Sequence, residues 1–389
     1  MHDYAFRMGR PKHIPAVEHG SVGVYGIGMK RAVFKMGRRA LISTQHRRQS
    51  YEVEVTPEWM DNDAGWSLPV RAAKKPAAQD GTTIVIGELY GGISQRFSAD
   101  AHAFKSDLER LISTHYAFII DKGFSVKVNK DVVKPRPTQL IFAKSKDQRR
   151  GNLIQPYIFR TETPDGVKVF LAVGFTRPIP SEEEAANATE ETKYSSLDAG
   201  WTVLCNDRAV LYCDRSELTG WGEAGVPRYH NQFIAISGIV DFRSDDLSKL
   251  PTTTTKRGID ASSSLYLQIK NKMREGMSLF TDYTNKWKGR ADESRKQIDA
   301  GTPLSFEQIK AEAKNLKFKT LKKSVPRGEQ YKPSLPLPPT LASSKRRIAF
   351  TKSDSEVRQV GDFLFDDPER DPSVVGERCF DLMLKEARR

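Results

Sequence analysis

Eight residues near the amino end, Gly23-Val24-Tyr25-Gly26-Ile27-Gly28-Met29-Lys30, run directly into the strongly helical Arg31-Ala32-Val33-Phe34-Lys35-Met36. Three glycines let a backbone approach an anion closely. The free N–H groups and positive dipole end of the following helix attract phosphate oxygens, and Lys30 adds a full charge. The chemistry this predicts is recognition of a phosphate chain. By itself the spacing is ambiguous, because a glycine turn that merely opens a helix has the same pattern. It also lacks both the preceding buried strand of a dinucleotide fold and the G-K-[ST] ending of a P-loop.

Two further stretches carry polar groups at turn positions. In Asp80-Gly81-Thr82-Thr83-Ile84-Val85-Ile86, Gly81 makes a turn, Thr82 offers a hydroxyl, and Ile84 and Ile86 are expected to alternate into a sheet core. In Pro251-Thr252-Thr253-Thr254-Thr255-Lys256-Arg257-Gly258-Ile259, the Lys256 ammonium is suited to stabilising charge on a terminal phosphate. The plainer alternative is a polar turn whose threonines cap a following helix. Of the three cysteines, Cys205 and Cys213 flank a hairpin turn at Asn206-Asp207-Arg208. With no C-x-x-C spacing, buried thiols are expected and no metal site is predicted.

The elements that must hold these residues read as α+β. Strand patterns over 40–44, 51–56 and 82–89 precede a helix over 99–120, where Leu108, Leu111, Ile112, His115, Tyr116 and Ile119 recur at helical spacing. Pro135-Arg136-Pro137 and the basic residues up to 151 suggest a connection between domains. A second β-rich unit follows, with strands over 155–161, 167–175, 201–206, 209–213 and 233–242, and an acidic loop or short helix over 181–192. It closes with a long helix over 263–288. The expected divisions are 1–133, 152–289, a basic Pro-rich linker over 290–353, and a small helical segment over 354–389. Within that segment a helix is expected to start at Asp371-Pro372-Ser373, with Val375, Cys379, Leu382 and Met383 on one face.

A chain of 389 residues exceeds one ordinary core, which fits two domains plus a tail. No apolar run approaches the roughly 20 residues of a membrane span. Nor does the start carry a signal-peptide core, so a soluble, cytoplasmic protein is expected. The net charge of +13 favours polyanions, nucleic acid first among them. Solvated basic faces over 144–150, 310–323 and 345–347 account for the excess equally well.

Together, the glycine turn with its helix and strand, Gly81-Thr82 and the Lys256 loop resemble GHKL ATPases, the superfamily of gyrase, the large heat-shock chaperones, MutL and Microrchidia proteins. The order and spacing match over about 1–290, helped by 200–214 and Thr219-Gly220-Trp221-Gly222. The resemblance implies a partial Bergerat-type ATP-binding sandwich, then a transducer-type α+β domain and a mostly helical or disordered tail. It assigns Gly23, Tyr25, Gly26, Ile27, Gly28, Met29 and Lys30 to wrapping the triphosphate, Thr82 to the adenine end, and Lys256 to sensing the γ-phosphate as the catalytic lysine. His230, Trp221 and Tyr229 are expected to be structural.

The family also implies ATP with Mg²⁺, a conformational or dimerisation switch, and an output on DNA or on protein clients. Its catalytic glutamate, magnesium-binding asparagine and D-x-G-x-G motif are not found in this chain. Residues 3–10 look like the helix that normally follows D-x-G-x-G. The expectation is a chain that begins inside the ATPase domain and hydrolyses ATP very slowly, lacking the general base. A truncated gene product is expected ahead of a split protein, whose missing amino-terminal half would be a partner, or a degenerate member. The rival from another class is a non-enzymatic scaffold for nucleic acid or a protein partner.

Overall fold

The computed structural model describes residues 27–65, 67–73, 79–143, 153–188, 198–253, 258–322, 325–339 and 350–388. They fall into two units, Met1–Pro338 and Pro339–Arg389. Both the helices and the open sheets of the α+β class are present.

Helix α1 (Gly28–Met36) passes into β1 (Gly37–His46) with no residue between them. β1 turns at Arg47, whose φ is 56°, into β2 (Gln49–Val55). Then come α2 (Pro57–Met60), whose amino end is capped by the Thr56 hydroxyl, β3 (Arg71–Ala72) and β4 (Gly81–Leu89). They form an antiparallel sheet in the order β3-β2-β1-β4. Side chains alternate between its faces. Ala40, Ile42, Val53 and Val55 are buried on one face, where Val33 and Phe34 of α1 pack with Trp59 and Met60. On the other, Arg39 forks between Glu54 and Glu88 while Leu41 and Val85 stay exposed. One correction falls here: Ile86 packs against this small core, but Ile84 is 41% exposed.

α3 (Gly91–Ser98), α4 (Ala101–His115) and α5 (Ala117–Asp121) follow. The helix predicted over 99–120 breaks at Tyr116 (φ −112°, ψ 11°), beside His115, whose Nδ1 meets the Ala209 carbonyl at 2.8 Å. A short ribbon of β5 (Lys127–Val128) and β6 (Asp131–Val132) precedes β7 (Gln139–Phe142).

The larger sheet is built from β8 (Tyr157–Glu162), β9 (Lys168–Phe175), then, after α6 (Glu182–Ala186), β10 (Gly200–Cys205), β11 (Arg208–Asp214) and β12 (Ile236–Arg243). α7 (Ser264–Lys286), α8 (Ala291–Ile298), β13 (Thr302–Ser305) and α9 (Phe306–Glu312) lead to its last strands, β14 (Lys319–Leu321) and β15 (Gly328–Tyr331). The order is β11-β10-β12-β9-β8-β15-β14, with β10 parallel to β12 and the other pairs antiparallel. α7 covers one face through Tyr266, Ile269, Met273, Met277 and Phe280. On the other, Phe118 of α5, Leu140 and Phe142 of β7, and Phe306 and Ile309 of α9 pack on Ile158, Ala172, Leu204 and Ile239. Burial on both faces explains why β9, β10 and β12 read as near-continuous apolar runs.

The expected linker over 290–353 is corrected over its described part up to residue 338. Ile298, Leu304, Phe306 and Ile309 are buried in the core. β13 pairs with β7, and β15 pairs with β8. The indole of Trp287 donates to the Pro336 carbonyl at 3.1 Å, holding the proline-rich stretch to this unit. Lysines dominate the composition of this segment, but sparse apolar residues at helix and strand spacing are enough to dock it.

In the second unit, α10 (Asp354–Phe365) and α11 (Pro372–Ala387) pack on each other. Ser353 and Glu356 form a reciprocal cap on α10, and Asp371 caps α11 as its sequence predicts. Val375 is buried and Cys379 and Leu382 are half-buried, whereas Met383, expected on the same face, is 66% exposed. No described helix is long and apolar enough to cross a membrane.

Candidate nucleotide site

α1 begins at Gly28, with Ile27 as the preceding cap position. Ile27 has no side chain able to accept from the first N–H groups, and α1 carries no acidic residue in its first turn. This end therefore has the positive dipole of a helix terminus, with no side-chain cap from Ile27 and no acidic residue to offset it. A Cβ built on Gly28 meets nothing within 4 Å, so the approach to this end is open on that side. Lys30 turns inward: it is 7% exposed, and burial holds its ammonium below the ordinary lysine range. Gly23, Tyr25 and Gly26 lie outside the described residues.

Thr82 stands at the start of β4, fixed by the β1 register. Thr44 pairs with Thr82 and Gln45 with Gly81, and the two threonine hydroxyls are 2.8 Å apart. Asp80 anchors the turn before it by accepting from the Arg47 amide at 2.7 Å. By alternation Thr82 shares a face with Ile84 and Ile86, the face on which α1 packs. α1 covers the Ala40 end of that face. At the other end, Thr82, Ile84 and Tyr51 are exposed and Thr44 is half-buried, an uncovered patch of mixed polarity.

The loop that holds Lys256 connects β12 to α7. Thr252 bridges Ile259, and Thr253 donates its amide to the Gly258 carbonyl at 3.1 Å, closing a narrow hairpin. The four residues between Thr253 and Gly258, Lys256 among them, lie outside the described residues.

The chain matches no protein-family model and no curated protein.

The structure thus ties α1, at its Met36 end, and Thr82 to one small sheet, through the direct passage from α1 to β1 and the pairing of β1 with β4. Thr44, the partner of Thr82, and Tyr51, the partner of Thr44 on the next strand, are not evident in the sequence because only strand register reveals cross-strand partners. Among the described residues, no group of three or more histidines, cysteines or carboxylates is placed to hold a metal ion. The described part of the glycine turn suits the oxyanions of a nucleotide and has no carboxylate to offer its Mg²⁺. Cys205 and Cys213 are buried thiols, the latter pushed up to about 12 by burial. His230 has a structural part, its Nδ1 accepting from the Gln232 amide at 3.3 Å.

Proposed function

We propose that the chain binds ATP as a conformational switch of the GHKL ATPase type. In this reading the turn from Gly23 to Lys30 takes the phosphates, Thr82 faces the base, and Lys256 reaches the γ-phosphate. The observation that supports it best is the amino end of α1, without a side-chain cap from Ile27, without an acidic residue in its first turn and open beside Gly28. Mg²⁺ would arrive with the nucleotide. No general base has been identified in the sequence, so turnover is expected to be very slow and the output to be domain movement or homodimer formation. DNA is the expected downstream polyanion for a net charge of +13.

Calorimetry with a non-hydrolysable ATP analogue tests this on wild type, Gly28→Ala and Lys256→Ala. Saturable heat for wild type, weakened in both variants, supports the switch. A scaffold for a protein partner is the second reading, favoured by the exposed Leu41 and Val85 on the open face of the small sheet. The absence of any heat from wild type would favour it.

A further inference from the structure

β4 is the one long strand edge left open among the described residues. It runs for nine residues, pairs with β1 on one side and with no described strand on the other, and none of its residues is buried. The opposite edge of the same sheet, β3, has two residues, one of them Arg71. In the larger sheet β14 has three residues, while β11 is interrupted at Cys213 (φ 48°) and its Ala209 carbonyl is taken up by His115 of α4. The remaining ribbons are four residues long or shorter.

An open row of N–H and C=O groups recruits another strand, so long edges are ordinarily guarded by charge, proline, a bulge or a covering element. Residues 81–87, Gly-Thr-Thr-Ile-Val-Ile-Gly, carry no charge and no proline, and the left-handed turn at Glu88 (φ 47°) comes only after them. At mid-strand Ile84 is 41% and Val85 56% exposed, on opposite faces of the sheet.

We propose that this edge pairs with β4 of a second copy of the chain, antiparallel about Val85, to make one continuous sheet across a homodimer. An antiparallel strand edge is its own complement under a two-fold rotation. About Val85, Ile84 of one copy lies opposite Ile86 of the other. On the opposite face, the cross-strand row of Leu41 and Val85 continues into its own copy. Charge selects the same contact: chains of net charge +13 repel each other, and residues 81–87 bring no charge to the interface. The pairing rests on strand geometry and not on nucleotide binding, and it names the partner for the exposed Leu41 and Val85 as another copy of this chain.

Sedimentation velocity on the full chain reads the mass, without nucleotide and under reducing conditions so that Cys379 forms no crosslink. Wild type should pass from monomer to dimer as its concentration rises. Val85→Lys and Val85→Glu each set like charges across the two-fold axis, so each alone should stay monomeric over that range. An equal mixture of the two should recover the dimer, which a merely misfolded variant could not do. Because Val85 is exposed, both variants should keep the circular dichroism of wild type. A wild type that stays monomeric, a Val85→Lys chain that still dimerises, or a mixture that recovers nothing overturns the proposal. Heat from the ATP analogue with a monomeric wild type would uphold the nucleotide reading alone, and a dimer without that heat would uphold the strand pairing alone.

Discussion

The ammonium of Lys122, at the end of α5, donates to both carboxylate oxygens of Asp207, in the turn between β10 and β11, at 2.8 and 2.7 Å. This contact joins residues 85 positions apart and starts a chain of charges. Asp207 also accepts from Arg243, which donates to Asp241 at 2.6 Å, and Lys310 of α9 donates to the same Asp241 oxygen at 2.9 Å.

Position in this chain sets the cost of breaking it. Lys122 is 38% exposed, so Lys122→Ala is expected to cost about 0.5 to 1 kcal/mol. Asp241 is 1% exposed, and Asp241→Ala leaves two cations without their shared carboxylate, for about 1.5 to 3 kcal/mol. Urea denaturation of both variants checks the ranking. Equal costs would mean that burial does not set the strength of this network.

Gly276 tests packing against propensity. Alanine in the middle of α7 should gain about 1 kcal/mol of helix propensity. Yet a Cβ there meets Val173 at 2.5 Å and Tyr157 at 2.6 Å, in the core under the sheet. Overpacking of about 1 to 3 kcal/mol wins, so Gly276→Ala should lower the melting temperature. A rise would show that the helix moves off the sheet at little cost.

Glu223 gives a pH dependence with a definite sign. It accepts from Lys270 at 2.7 Å and Arg274 at 3.0 Å, and the hydrogen bond from Lys270, with both positive charges, holds its carboxyl below the ordinary value. A depressed acid stabilises the fold above its unfolded pKa, about 4.3, and loses that contribution as pH falls through the lower folded value. The melting temperatures of wild type and Glu223→Gln should therefore differ by a constant amount above about pH 5.5 and converge at more acid pH.

The thiols should separate by reactivity. Cys205 and Cys213 are buried and their pKa values raised, while Cys379 is half-buried on α11. Native protein treated with N-ethylmaleimide is expected to take up one label at Cys379, and all three only when denatured. Native labelling at Cys213, read by mass spectrometry, would contradict the buried hairpin.

Gly28→Ala should leave stability unchanged or slightly raised, since its methyl has open space. On the proposed reading, the same methyl crowds the phosphates and weakens the ATP analogue about tenfold, or 1.4 kcal/mol. An unchanged affinity would remove Gly28 from the site.

Long elements were legible in the sequence because their signals were strong. The strands expected over 167–175 and 201–206 and the helix over 263–288 correspond to β9, β10 and α7 within a few residues. β14 and β15, of three and four residues, are hidden in lysine- and proline-rich surroundings and recognisable only through the pairing of β15 with β8 and of β14 with β15. Ile84 was misjudged because alternation tells which side chains share a face, not whether anything covers that face. At the candidate site, the glycine-to-helix transition at Gly28 could be read directly, while the inward turn of Lys30 depends on tertiary packing that local spacing does not encode.

The seam between Met36 and Gly37 has a mechanical consequence. There is no slack residue between α1 and β1, the Tyr90 amide fastens to the Met36 carbonyl at 3.1 Å, and a Cβ on Gly37 would lie 2.4 Å from the Gly87 oxygen. The helix is thus welded to two strands at its base and free to tilt only as far as they flex. With Val33 and Phe34 seated on the same sheet, a displacement of α1 is carried into β1 and β4 and, through Tyr90, to the start of α3.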